Sequence, residues 1–133
     1  MMALDTNILV RFLIKDDKKQ AQQVYQLFKQ AEDKKAVLFV PLLVVLEAIW
    51  VLQSVYNIVD EDVVTAIANL LLMPVLKFEQ QSAIQGFIVS ARDTKLGLAD
   101  LLIAHSAQAS LCQQVLTFDK KAATFKYFQL LTE

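Results

Sequence analysis

A chain of 133 residues with 14 acidic and 13 basic side chains carries a formal charge of −1, so as a whole it is no electrostatic trap for nucleic acid. Two glycines, one histidine and one cysteine exclude a Walker loop, a Rossmann glycine fingerprint, a multi-histidine zinc site and an intramolecular disulfide. The hydrophobic fraction of 56% exceeds the usual level of about 45–50%, which reads as apolar surface kept for a subunit or partner.

In chain order, Met2 to Leu4 reads as a short buried strand, and Asp5-Thr6-Asn7 turns the chain into a helix from Ile8 to Ile14. Asp16-Asp17 supplies a break and an N-cap for the next helix, Lys18 to Glu32. There Ala21, Val24, Tyr25, Phe28 and Ala31 keep helical spacing. Val37 to Val40 is a β-rich run. Pro41 suits the first turn of a helix reaching about Tyr56. Asp60 to Met73 reads as a helix stopped by Pro74, Val75 to Phe78 as a strand, and Glu79 to Ala91 as a helix. A loop at Arg92 to Gly97 precedes a helix at Ala99 to Ala109, then strands at Val115 to Thr117 and Phe128 to Leu131. Strands alternating with helices predict an α/β fold, a single domain over residues 1–133 with a central parallel sheet of four to five short strands covered on both faces. The N-terminus has no basic n-region and no uncharged run suits a membrane span, so neither a signal peptide nor a membrane association is expected. The lone Cys112 fits a reducing, cytoplasmic setting.

Four carboxylates stand out against that background. Glu47 is the only charge between Ala36 and Val59, and Asp100 the only one between Leu96 and Phe118. Asp5 follows an apolar start and Asp119 follows Val115-Leu116-Thr117-Phe118. A lone carboxylate in an apolar run costs free energy unless hydrogen bonds, a cation or a metal compensate it. In open α/β sheets ligands bind beyond the carboxyl ends of strands, and Asp5 and Asp119 both lie just past one. Oxygen-only ligands favour a hard ion such as Mg²⁺ or Mn²⁺, which points toward phosphodiester chemistry. With these four neutralised, 10 acidic residues face 13 basic ones, leaving a mildly basic remainder.

The ordered set Asp5-Thr6-Asn7, Glu47, Leu98-Ala99-Asp100-Leu101-Leu102-Ile103-Ala104 and Thr117-Phe118-Asp119 resembles the PIN domain, and within it the VapC-like branch of type II toxin–antitoxin toxins. The resemblance covers nearly the whole chain. It implies an α/β/α sandwich and a Mg²⁺- or Mn²⁺-dependent endoribonuclease, usually a homodimer inhibited by a small cognate antitoxin. Carried over position by position, Asp5, Glu47, Asp100 and Asp119 become the catalytic, metal-holding carboxylates. Thr6, Asn7 and Thr117 become residues that orient ligands or the RNA substrate.

Plainer roles stand beside these. Asp5 and Asp100 can cap helices, Asp119 can be a turn residue or pair with Lys120 or Lys121, and Glu47 can pair with a distant base. His105 reads as a packed, hydrogen-bonded side chain, Cys112 as a small core residue, and Trp50 and Tyr56 as core or interface. Lys18-Lys19 and Lys34-Lys35 read as solvated helix ends, while Arg11 and Lys15 face either solvent or RNA phosphates. A catalytically inactive scaffold that binds RNA or a partner is the alternative to an enzyme.

Overall fold

Strands and helices alternate as the apolar pattern requires. The computed structural model describes residues 1–132, and these divide into two compact units, residues 1–79 and residues from 80 onward. The first unit runs β1 (Met2–Ala3), α1 (Thr6–Leu13), α2 (Lys18–Asp33), β2 (Leu38–Val40), α3 (Leu42–Ser54), α4 (Asp60–Leu71) and β3 (Leu76–Phe78). The second runs α5 (Gln81–Asp93), α6 (Leu98–Ala109), β4 (Val115–Thr117), a 3-10 turn at Ala122–Thr124 and β5 (Phe128–Leu130).

All strand pairs are parallel, and each unit holds its own ladder. In the first, β2 lies between β1 and β3, with Leu38 opposite both Met2 and Leu76. In the second, Val115 of β4 faces Phe128 of β5. Among the described residues the five short parallel strands match the expected number and direction, three paired in the first unit and two in the second.

Local chemistry sets the element ends in the first unit. Asp17 accepts from the Gln20 N–H at 3.0 Å and starts α2. Pro41 sits just before the first helical residue of α3, whose Leu42 N–H is taken up by Glu79 Oε1 at 2.8 Å. Asp60, Glu61 and Asp62 fill the first turn of α4, where the helix dipole favours negative charge. The core beneath is aliphatic, with Leu9, Val40, Val45, Ile49, Val63 and Ile67 fully enclosed. Phe12 of α1 stacks on Phe28 of α2 at 4.8 Å.

With two glycines in the chain, helix ends fall on residues that resist the left-handed conformation. After α2, Lys35 adopts φ 54°, its N–H reaches Glu32 O, and the next N–H, of Ala36, reaches Ala31 O. After α6, Leu111 adopts φ 68°, with its N–H on Gln108 O and that of Cys112 on Ala107 O. Both are Schellman closures, in which glycine is the usual residue. Leu111 is also 92% exposed, so nothing holds its side chain in compensation. Leu111→Gly is therefore expected to stabilise the protein by about 1 kcal/mol, relieving the left-handed strain of an L side chain. Urea unfolding checks this, and a lower midpoint would contradict it.

In the second unit α5 packs along α6, burying Ile84, Phe87 and Ile88 against a face that includes Leu101, Leu102, Ala104 and His105. Gly86 permits the close approach, because a Cβ there would lie 2.5 Å from His105 Nδ1. No helix among the described residues is long and apolar enough to cross a membrane.

Candidate metal and phosphodiester site

In the first unit, Thr6 joins two of the predicted carboxylates. Asp5 directly follows the buried Leu4 and caps α1, its Oδ1 accepting from the Thr6 N–H at 2.7 Å. Thr6 itself is buried, and its hydroxyl donates to Oε1 of Glu47, 41 residues later on α3. One residue thus holds the Asp5 carboxylate through its backbone and the Glu47 carboxylate through its side chain. The packing of α1 on α3 makes this possible. Asn7 is exposed and lines a groove of about 450 Å³ with Ile8, Arg11, Gln20 and Gln23 among others.

Arg11, which also lines that groove, is held by several partners. Its Nη1 donates to Asp16 Oδ1 at 2.6 Å and to the Tyr56 hydroxyl at 3.3 Å, and its Nε to Gln20 Oε1 at 2.7 Å. Tyr56 donates in turn to Asp16 Oδ2 at 3.1 Å. The hydrogen bond to Tyr56, followed by the charge of Asp16, raises the guanidinium pKa above its ordinary value.

In the second unit, Asp100 stands in the first turn of α6, half-buried, with Oδ2 leaning back over Gly97. A Cβ at Gly97 would meet that oxygen at 3.3 Å. The helix begins at Leu98, so Asp100 is inside it and does not cap it. Thr117 closes β4, and its Oγ1 accepts from the Asp119 N–H at 3.0 Å. Asp119 Oδ1 accepts from the N–H groups of Lys121 at 2.9 Å and Ala122 at 3.2 Å, shaping the turn that leads into the 3-10 segment. The contact to Lys121 is to its backbone; the only salt bridge among the described residues is Arg11–Asp16.

The carboxylates differ from the sequence expectation in one respect. Asp5, Glu47 and Asp119 are exposed and Asp100 is half-buried, so their apolar flanks do not enclose them. On α3 the cause is plain. Apolar residues surround the helix, and Leu43 and Trp50, one turn either side of Glu47, are 77% and 60% exposed. Trp50 is therefore not a core residue of the chain, and Cys112 is also exposed rather than packed. Among the described residues, neither unit gathers three or more His, Cys, Asp or Glu side chains into a group that can hold a metal ion.

His105 does pack as expected. It is buried, its Nε2 lies 2.7 Å from Ser90 Oγ, and Tyr127 meets its ring edge-on at 5.2 Å. Burial, then the charge of Lys126, lowers its pKa from the ordinary 6.5. The unfolded chain takes up this proton near 6.5 while the fold resists until lower pH. The stability tied to neutral His105 is complete above 6.5 and is lost as pH falls through that value toward the depressed one. The thermal midpoint should drop between about pH 7.5 and about pH 5.5, and less steeply in His105→Gln. Equal slopes in the two proteins would contradict the assignment.

Parallel strands, a carboxylate just beyond the end of β1 in the first unit and of β4 in the second, and a threonine joining Asp5 to Glu47 define the class as a parallel α/β protein with carboxylates at its strand ends. The family model of the PIN domain matches residues 2–126, and the chain belongs to that family. PIN domains are generally nucleases that hydrolyse phosphodiesters, typically with divalent metal ions. No curated protein matches the chain.

Proposed function

We propose that the protein is a Mg²⁺- or Mn²⁺-dependent endoribonuclease, the toxin of a VapC-like toxin–antitoxin pair. The observation that carries this reading is the Asp5–Thr6–Glu47 linkage, which keeps two carboxylates on one residue at the carboxyl end of β1. Such an all-oxygen donor set suits a hard divalent ion. Asp5, Glu47, Asp100 and Asp119 would hold it. When bound, it would lower the pKa of a coordinated water and offset charge building on the scissile phosphate. Thr6 fixes the Glu47 rotamer by donating to Oε1, and the N–H of Thr6 fixes Asp5. Asn7 and Thr117 offer side-chain hydrogen-bond groups to the sugar–phosphate chain. The family match draws on sequence from both units, which supports reading residues 1–133 as one PIN domain.

A homodimer and a small antitoxin belong to the same reading, with the helices at 18–32 and 41–56 supplying contact surface. Exposed Leu43 and Trp50 on α3 and Leu27 on α2 support it. Light scattering should then give twice the mass of one chain. The cytoplasm is the proposed location, since it holds RNA and keeps Cys112 reduced. Matched single-stranded RNA and DNA oligonucleotides, incubated with the protein and Mg²⁺ or Mn²⁺, test the substrate. Cutting of RNA alone supports the reading, and cutting of DNA alone would overturn it. RNA binding without cutting would favour the inactive scaffold.

A further inference from the structure

A second groove between α1 and α2, of about 420 Å³, is lined by Phe12, Lys15, Lys18, Ala21, Gln22 and Tyr25. We propose that it binds a single-stranded segment of RNA, with backbone phosphates on Lys15 and Lys18 and a base stacked on Tyr25. The inference rests on the nuclease reading and extends it to how substrate is held away from the acidic site.

Three observations carry it. First, the positive charge of the groove is not cancelled. Both lysines are exposed and neither joins a salt bridge among the described residues. The two carboxylates between them in sequence are occupied elsewhere: Asp16 binds Arg11 and Tyr56, and Asp17 caps α2 through Gln20. Second, the groove pairs these ammonium groups with aromatic surface. Tyr25 is 57% exposed although it lies one turn from buried Phe28, and the half-buried Phe12 is braced on Phe28 at 4.8 Å. Cationic side chains beside an open aromatic face are the means by which proteins hold single strands without reading their sequence. Third, size and position fit. The volume lies in the range of small-ligand pockets. Phe12 is about 10 Å along the α1 axis from Asp5, at 1.5 Å per residue. A strand with one phosphate at Asp5 can therefore place neighbouring nucleotides in this groove. Gln22 adds an amide able to bond a base edge.

The test measures binding of a fluorescein-labelled single-stranded RNA by anisotropy. It uses the full chain with Asp5→Asn, so that no cutting intervenes. Lys15→Gln with Lys18→Gln should weaken binding about ten-fold and flatten the log affinity against log salt slope by about 1.4, the share of two phosphate contacts. Tyr25→Ala should weaken binding about ten-fold at unchanged slope, and Tyr25→Phe should restore it, because stacking needs the ring and not the hydroxyl. Parent-like affinity and slope in all variants would overturn the proposal. So would variants that keep RNA affinity but lose self-association in light scattering, since the groove would then dock protein. Metal-dependent cutting by the otherwise wild-type lysine variant with unaltered RNA affinity would reject the groove and leave the nuclease standing. RNA held through the groove by a wild-type protein that cuts nothing would support the groove and reject the nuclease.

Discussion

Asp5→Asn should fold as the wild type does and lose RNA cleavage by roughly a thousand-fold or more. The loss follows if Asp5 holds the metal, because a bound ion contributes several kcal/mol to the transition state and about 1.4 kcal/mol is tenfold in rate. The fold survives because asparagine caps a helix about as well as aspartate, and its Oδ1 can still accept from the Thr6 N–H. With the cap kept and an exposed side chain changed, the net change should stay within about 0.5 kcal/mol. Single-turnover cleavage and thermal melting, measured on the same preparation, separate the two effects. Full activity in the variant would remove Asp5 from the site. A large fall in stability would instead make the plain capping role the dominant one. The same substitution at Asp119 is a weaker test, since Asp119 is already engaged by two backbone N–H groups of its turn.

Gly86→Ala should destabilise the protein by roughly 1–3 kcal/mol through overpacking. The sign is the informative part. Inside a helix, alanine is ordinarily better than glycine by about 1 kcal/mol. At this position the new Cβ would sit 2.5 Å from His105 Nδ1 and 2.9 Å from Cε1. The ring has no free room, being buried, engaged with Ser90 and edge-on to Tyr127. The double variant with His105→Ala should be less unstable than the sum of the two single changes, because the clash is gone. Denaturant unfolding of the three proteins checks this. Stabilisation by Gly86→Ala alone would mean that α5 and α6 do not approach as described.

Much of the fold is legible in the sequence because its punctuation is chemical. Asp17 and Pro41 mark helix starts by capping and by fixed φ, and the short, mostly apolar stretches at 38–40, 76–78 and 115–117 are strands. The misplacements have equally specific causes. Gln80 enters α5 with φ 52°, a conformation that glutamine does not announce, so the start of that helix falls after Glu79. Arg92 and Asp93 extend α5 beyond its last apolar residue, where periodicity gives no signal. The 3-10 turn at Ala122–Thr124 was readable only through Asp119, whose side chain organises it.

Burial was less legible than secondary structure. Tyr25 keeps the helical spacing of Val24, Phe28 and Ala31, yet it is exposed while they are buried. Spacing finds the face of a helix, but the edge of that face depends on which neighbour covers it. Lone charges in the apolar runs drew attention to Glu47 and Asp100, although the structure leaves the first exposed and the second half-buried. The bond between Thr6 and Glu47 spans 41 residues and follows from the packing of α1 on α3, which no local pattern encodes.

The proposed function makes these carboxylates the site of a metal-dependent ribonuclease. Purified protein should be incubated with total RNA in Mg²⁺, in Mn²⁺ and in EDTA, beside Asp5→Asn. Discrete RNA fragments are expected with either metal and none with EDTA or with the variant. Fragments that persist in EDTA, or that the variant produces as fast as the wild type, would contradict it.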